Sequence, residues 1–261
     1  MHLFKTKIFA PISFLIFCLL VLCITTAHAG EKKRILIYGD SNTFGWITFA
    51  DGTFGRFPVE KTWAGKTGIL LGDDYEIIIG GLGGRTTNLD STPNAGSGYI
   101  PGAGMNGAAY LPAALSSHMP LDLVVIMLGS NDLNVKYNRN AKEIADGVDE
   151  LVKIVKEAQW QKHTTFQAPQ VLVLAPPKMD IKNEKYKAMF AGAYEKSLQF
   201  GKLMQQVAEK NNADFFDAAT VVPFGEAEDE IHLTLKNHSD LAYAVAKKIK
   251  TIFNDTIPLQ E

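Results

Sequence analysis

Cysteine is nearly absent from this chain: of 261 residues only Cys18 and Cys23 carry a thiol, and both lie in an apolar N-terminal stretch. The rest of the chain therefore has no disulfide, no thiolate nucleophile and no cysteine-ligated metal, and its stability must come from its core. No His-Glu-x-x-His or similar metal spacing occurs. Repeats and linker-like segments are missing, so the chain reads as one large domain. An excess of either sign of charge is also missing: 26 basic and 28 acidic residues give a formal net charge of -2. That balance gives no basic footprint for nucleic acid.

Residues 1 to 29 form a separate pattern. Lys5 and Lys7 precede an almost wholly apolar run from Ile8 to Ile24, and Ala27-His28-Ala29 is a small-x-small cleavage signal. This is the pattern of a cleavable signal peptide, and it predicts a periplasmic or secreted protein with no stable membrane association once cleaved. The competing expectation is an uncleaved anchor helix, which Pro11, the Thr25-Thr26 break and the cleavage site disfavour. Leu22-Cys23 lacks the small residue that a lipoprotein signal places before its cysteine. With two lysines and no acid removed, the remainder has 24 basic against 28 acidic residues, a balance of -4.

The chain is organised around Arg34-Ile35-Leu36-Ile37-Tyr38-Gly39-Asp40-Ser41. A run of apolar, β-branched residues stopping at Gly-Asp-Ser reads as a buried parallel strand that delivers Ser41 to the carboxyl edge of a sheet. The plain alternative is that Asp40 and Ser41 only form a turn or cap a helix.

Trp46 to Trp63 reads as a polar and aromatic connection, followed by a helix over about 62–71 and a second strand over 75–79. Four glycines then fall within residues 80–84, where backbone N–H groups can point outward, as an oxyanion or anion site needs; a tight turn explains them equally well. The string Gly102-x-Gly104-x-x-Gly107 matches a dinucleotide fingerprint, with Asp122 at the expected distance. No strand precedes it and Asp122 opens a strand instead of ending one, so no dinucleotide is expected. A helix over 109–117 and a central strand over 121–128 follow, the strand ending in Gly129-Ser130-Asn131-Asp132. Asn131 can donate two hydrogen bonds through its amide, or Asn131 and Asp132 can cap the next helix.

Apolar spacing predicts helices over 141–158 and 194–211, strands over 171–174 and 214–216, and a last helix over 235–253 with Thr234 as its N-cap. The connection from Lys178 to Phe190 is a candidate pocket wall. Asp229 and His232 are three apart, so one turn can place carboxylate and imidazole together. His118, His163 and His238 have no acid at that spacing. Five strand and helix alternations argue a doubly wound parallel sheet. Ser41, the glycine turn, Asn131, Asp229 and His232 together form a nucleophile, a base, an orienter and oxyanion donors, the set acyl transfer requires.

In this order Gly39-Asp40-Ser41, the turn at Gly83, Gly129-x-Asn131-Asp132 and Asp229-x-x-His232 resemble the four blocks of the SGNH (GDSL) hydrolases. The similarity spans most of residues 34–252. Gly-Asp-Ser-Asn-Thr-Phe-Gly-Trp, Gly-Leu-Gly-Gly-Arg-Thr-Thr-Asn and the segment from Tyr110 to Asp132 resemble the branch of bacterial arylesterases and related acyltransferases. The resemblance implies a three-layer α/β/α sandwich with a five-stranded parallel, flavodoxin-like sheet, and an SGNH hydrolase domain over 30–261. It implies Ser41 as nucleophile, His232 as general base and then acid, and Asp229 as its orienter. The Ser41 N–H, the Gly83 N–H and the Asn131 side chain would form the oxyanion hole, with Gly84 replacing Gly83 if the register is shifted by one. No cofactor or metal is implied, and the Gly-x-Ser-x-Gly elbow of α/β-hydrolases is missing.

The expected activity is hydrolysis of small or short-acyl carboxylic esters, acetylated carbohydrates among them, with acyl transfer as a competing outcome. A lysophospholipase or thioesterase of the same superfamily is the alternative enzyme, and a non-catalytic carbohydrate-binding module on the same fold is the alternative of another class. Assembly into a homo-oligomer is expected only by analogy.

Overall fold

Ile35 and Ile37 of the first strand face one side of a sheet and Leu36 and Tyr38 the other, and all four are fully buried. A strand covered on both faces needs apolar side chains at every position, which is why this stretch shows no polar alternation. The computed structural model describes residues 31–91, 101–157 and 164–260. The expected signal peptide, residues 92–100, His163 and the last residue of the helix expected over 141–158 lie outside the described residues.

Along the chain, β1 (Lys33–Gly39) leads into the short helix α1 (Ser41–Phe44), then β2 (Trp46–Thr48), β3 (Phe54–Arg56) and α2 (Trp63–Leu71). There follow β4 (Tyr75–Gly81), α3 (Gly107–His118), β5 (Leu123–Met127), α4 (Ala141–Lys156) and β6 (Gln170–Ala175). The last elements are α5 (Ala193–Ser197), α6 (Phe200–Lys210), β7 (Asp214–Asp217) and α7 (Leu235–Ile252). The main sheet is parallel, in the order β4-β1-β5-β6-β7. This is the flavodoxin-like sheet the sequence implies.

Odd and even strand residues go to opposite layers. Leu36, Val124, Ile126 and Val173 pack against α3, α4 and α6, while Ile37, Val125, Leu172 and Leu174 pack against α2 and α7. Lys33–Glu261 forms one compact unit. Because β1 lies between β4 and β5, the chain reverses direction across the sheet beside β1. The carboxyl ends of β1 and β5 therefore border the crevice where open α/β sheets bind ligands.

The helices begin where their caps dictate. Asn140 and Glu143 form a reciprocal capping box on α4, and Thr234 with Asn237 forms another on α7, which confirms the expected Thr234 cap. Asn131 and Asp132 cap no long helix; Asn131–Leu133 is a single 3-10 turn.

Two stretches differ from the sequence reading. Trp46 to Trp63 is not irregular throughout: β2 and β3 form an antiparallel hairpin. Its turn is set by the Asp51 carboxylate, which accepts from the Thr53 N–H at 2.9 Å, and by Gly52 at φ +81°. The expected helix over 194–211 is two helices, α5 and α6. The break follows Ser197, whose hydroxyl donates to the Tyr194 carbonyl (2.9 Å) and accepts from the Met179 N–H (3.1 Å), tying the segment to the connection after β6. At Gly201 a Cβ would lie 2.5 Å from an Asp217 carboxylate oxygen, so α6 must start close against the end of β7.

Asp149 fastens α4 to α6. Its carboxylate accepts from Asn211 at 2.6 Å, Lys153 at 2.9 Å and Lys210 at 3.0 Å. Partial burial acts to raise its pKa, but these three donors outweigh that and bring it down to about 2. The folded value lies below the unfolded one, so the stabilisation is present above about pH 4 and is lost as pH falls toward 2. Asp149→Ala is expected to reduce unfolding free energy by about 1–3 kcal/mol at pH 7. In urea unfolding the gap from wild type should narrow progressively below pH 4.

Candidate active site

Gly39 lets the chain turn sharply out of β1. A Cβ there would lie 2.1 Å from Thr43 Oγ1 and 2.9 Å from the Met127 carbonyl, so only glycine allows α1 to fold back onto the strand. Asp40 is the N-cap of α1, its carboxylate accepting from the Asn42 N–H at 2.9 Å, and Ser41 is the first helical residue. The capping alternative thus holds for Asp40, while the Ser41 hydroxyl is turned to another partner. Burial pushes the Asp40 carboxyl up to about 6.

That partner comes from the far end of the chain. Ser41 Oγ lies 2.9 Å from His232 Nε2, and His232 Nδ1 lies 2.6 Å from Asp229 Oδ2. With the carboxylate taking the Nδ1 proton, Nε2 is the free acceptor for the Ser41 hydroxyl. The other Asp229 oxygen accepts from the N–H groups of Ile231 and His232, both at 2.9 Å, which builds the tight turn that the three-residue spacing predicts. Asn42 docks this turn onto α1: its side-chain oxygen accepts from the Leu233 N–H (3.1 Å) and its amide donates to the Ile231 carbonyl (3.4 Å).

The hairpin completes the environment. The Thr48 hydroxyl donates to Asp229 Oδ2, and the Trp46 ring stacks on the His232 imidazole with centroids 6.1 Å apart and planes 26° from parallel. Burial acts to raise the Asp229 pKa, but the hydrogen bonds from His232 and Thr48 and the nearby imidazole outweigh it and hold the carboxyl well below the usual range. Asp229 is therefore ionised at neutral pH. The sequence reading missed Thr48, Trp46 and Asn42.

Of the glycines over 80–84, Gly80 and Gly81 finish β4, and the Leu82 N–H is taken by the Gly39 carbonyl. Gly83 and Gly84 follow, Gly84 at φ +79°, and both line the cavity above Ser41. The N–H groups of Ser41 and Gly83 have no acceptor among the described residues. Asn131 lines the same cavity; its amide donates one proton to the Arg85 carbonyl at 3.0 Å, which fixes the amide and leaves the second N–H to donate.

Two buried charges hold these loops together. The Arg85 guanidinium lies 4.1 Å from the Tyr38 ring centroid and donates to the carbonyls of Gly39 (2.8 Å) and Gly80, joining the ends of β1 and β4. Asp132 accepts from the Thr87 N–H (3.0 Å), the Thr87 hydroxyl (2.6 Å) and Arg139 (2.8 Å), which ties the end of β5 to the glycine segment. His238 stays outside the site: it is fully buried, its Nδ1 accepts from the Trp63 N–H at 3.0 Å, and burial lowers its pKa to about 4.

Ser41, Asp229 and His232 open into a cavity of about 470 Å³. Its apolar lining includes Trp46, Phe54, Tyr137, Tyr186, Met189 and Phe190, so the Lys178 to Phe190 connection does supply a wall. Among the described residues no group of three or more His, Asp or Glu side chains is placed to hold a metal ion. A hydroxyl on an imidazole nitrogen, an ionised carboxylate on the other nitrogen and three N–H groups around one cavity can together carry a serine through attack on a carbonyl.

Residues 37–238 match the GDSL-like lipase/acylhydrolase family. A carbohydrate acetylesterase from Sinorhizobium meliloti shares 39% identity over 85% of this chain and 100% of its own, with a TM-score of 0.78. The aryl esterase of M. smegmatis shares 37% identity over 84% of this chain and 99% of its own, with a TM-score of 0.77. A second carbohydrate acetylesterase family member from Sinorhizobium meliloti shares 30% identity over 85% and 99%, with a TM-score of 0.73. No curated protein matches the chain. The family match covers most of the chain and the similar structures are esterases of the same three-layer fold, so this chain belongs to the GDSL-like lipase/acylhydrolase (SGNH) family and is a carboxylic ester hydrolase.

Proposed function

We propose that this chain hydrolyses small or short-acyl esters by a two-step reaction through a Ser41 acyl-enzyme, with Ser41, His232 and Asp229 as its catalytic triad. The observation that carries the reading is the continuous chain from Ser41 Oγ through the His232 ring to Asp229, with spans of 2.9 and 2.6 Å. Ser41 Oγ attacks the ester carbonyl as its proton passes to His232 Nε2. The tetrahedral oxyanion is held by the N–H groups of Ser41 and Gly83 and the free N–H of Asn131. Collapse breaks the bond to the alcohol, which leaves with the proton from His232. Water then attacks the acyl-enzyme with His232 again as base, the acid is released, and the proton returns to Ser41. The ionised Asp229 stabilises the imidazolium in both steps.

An apolar, aromatic cavity of about 470 Å³ and the aryl and carbohydrate acetyl esterase relatives support an aryl or short-acyl substrate. Acyl transfer to an added alcohol would compete with water at the second step. The N-terminal pattern of residues 1 to 29 supports export to the periplasm or medium.

Hydrolysis of p-nitrophenyl esters from acetyl to palmitoyl tests the substrate reading. Activity should be highest at acetyl to butyryl and fall at least tenfold by the longest chains, since the cavity must hold acyl and alcohol parts together. A rate that rises with chain length would transfer the protein to the lysophospholipase or thioesterase class. No ester activity in a folded protein would favour the carbohydrate-binding module.

A further inference from the structure

The cavity above Ser41 carries a charge that ester cleavage leaves unused. Lys136 lies in the 3-10 turn Val135–Tyr137 that follows β5, and it lines the cavity beside Ser91, Asn134 and Tyr137. Its ammonium is 4.7 Å from the Tyr137 ring centroid and donates to Ser91 Oγ at 3.4 Å. The Tyr137 hydroxyl donates to the same oxygen at 2.9 Å. Ser91 Oγ thus accepts twice and keeps its own proton to give, although Ser91 is only 7% exposed. The Asn134 side-chain oxygen is occupied by the Lys136 N–H at 3.0 Å, which leaves its amide N–H₂ as a further donor. This wall therefore offers a cation and hydrogen-bond donors whose matching acceptors are already taken.

No carboxylate pairs with Lys136 among the described residues, and residues 92–100, which continue from Ser91, contain no acidic residue. A second cation stands by: the Lys185 ammonium lies 5.7 Å from the Phe54 centroid and 5.1 Å from that of Tyr186, two rings of the cavity lining. The acids next to this wall in sequence are engaged otherwise: Asp90, beside Ser91, accepts from the Asn106 amide at 3.0 Å. Glu184 pairs with Lys187 at 2.5 Å, and Glu230 accepts from the N–H groups of Lys182 and Asn183 at 2.5 and 2.7 Å. Asp229, the carboxylate among the described lining residues, has its oxygens filled by His232, Ile231 and Thr48.

We infer that the ester this enzyme takes bears a carboxylate, which Lys136 and the Ser91 hydroxyl bind while Ser41 attacks the ester group. The inference rests on the serine-esterase reading above and adds the chemical class of its substrate. A lysine that merely packs on Tyr137 would affect charged and neutral esters alike; a lysine that meets a substrate anion separates them.

The test uses matched pairs on the whole protein. For a carboxylate on the alcohol side, para-acetoxybenzoate is compared with its methyl ester through release of the phenol. For a carboxylate on the acyl side, monomethyl adipate is compared with methyl hexanoate by pH-stat. In one arm the wild type should prefer the anionic member, and the arm identifies the side. Lys136→Met should lower the anionic-to-neutral ratio of kcat/KM by roughly 10- to 100-fold, mainly through KM, and Lys136→Arg should restore most of it. The preference should also shrink as salt rises. A wild type without preference in either arm, or equal losses on both members in Lys136→Met, would overturn the inference while leaving the esterase reading intact. A wild type inactive on all four esters would instead overturn the esterase reading and this inference with it.

Discussion

Ser41→Ala is expected to lower kcat/KM for p-nitrophenyl acetate by on the order of 10⁵-fold while the protein stays folded. The substitution keeps Cβ and removes one oxygen, whose hydrogen-bond partner is His232 Nε2. Asp40 still caps α1 and Gly39 still permits the turn, so the stability change should stay within about 1 kcal/mol. Residual activity would come from the backbone N–H at position 41, which alanine keeps, and the N–H donors of Gly83 and Asn131, acting on attack by water. Steady-state rates checked against thermal unfolding separate lost chemistry from lost structure. A variant that is folded and retains more than a tenth of the activity would remove Ser41 from the reaction.

Asp229→Asn should cost on the order of 10⁴-fold in kcat with little effect on KM. An asparagine oxygen can keep the bonds from the Ile231 and His232 N–H groups, which fixes the new amide nitrogen in the place of Oδ2. That nitrogen donates where the carboxylate accepted. His232 must then accept at Nδ1 and carry its proton on Nε2, the tautomer that cannot take the proton of Ser41. Thr48 loses its acceptor at the same time. Single-turnover measurements should show slow acylation; a variant with wild-type acylation would mean that Asp229 only shapes the turn.

Much of this site is legible along the chain because its parts occur where elements end. A strand buried on both faces and stopped by Gly39 announces where Ser41 emerges, and the same logic finds Asn131 after β5. Asp229 and His232 are local partners, and Thr234 marks the start of α7 through its own side chain. What stays hidden depends on contacts far apart in sequence. Thr48 meets Asp229 and Asn42 meets Leu233 across more than 180 residues, and no spacing rule connects such pairs. The β2-β3 hairpin escapes because strands of three residues are too short to show alternation. The break between α5 and α6 escapes because Ser197 and Gly201 interrupt an otherwise continuous apolar period, for reasons set by Met179 and Asp217.

Covalent labelling by diethyl p-nitrophenyl phosphate tests the Ser41 acyl-enzyme most directly. Attack by the serine oxygen expels p-nitrophenolate and leaves a diethylphosphoryl group that water removes slowly, so the reagent halts the enzyme at the analogue of its acyl intermediate. Intact mass should rise by one such group per chain as esterase activity disappears, peptide mapping should locate it on Ser41, and Ser41→Ala should remain unlabelled. Label on another residue with loss of activity, or full inactivation of a chain whose Ser41 is unmodified, would contradict the account.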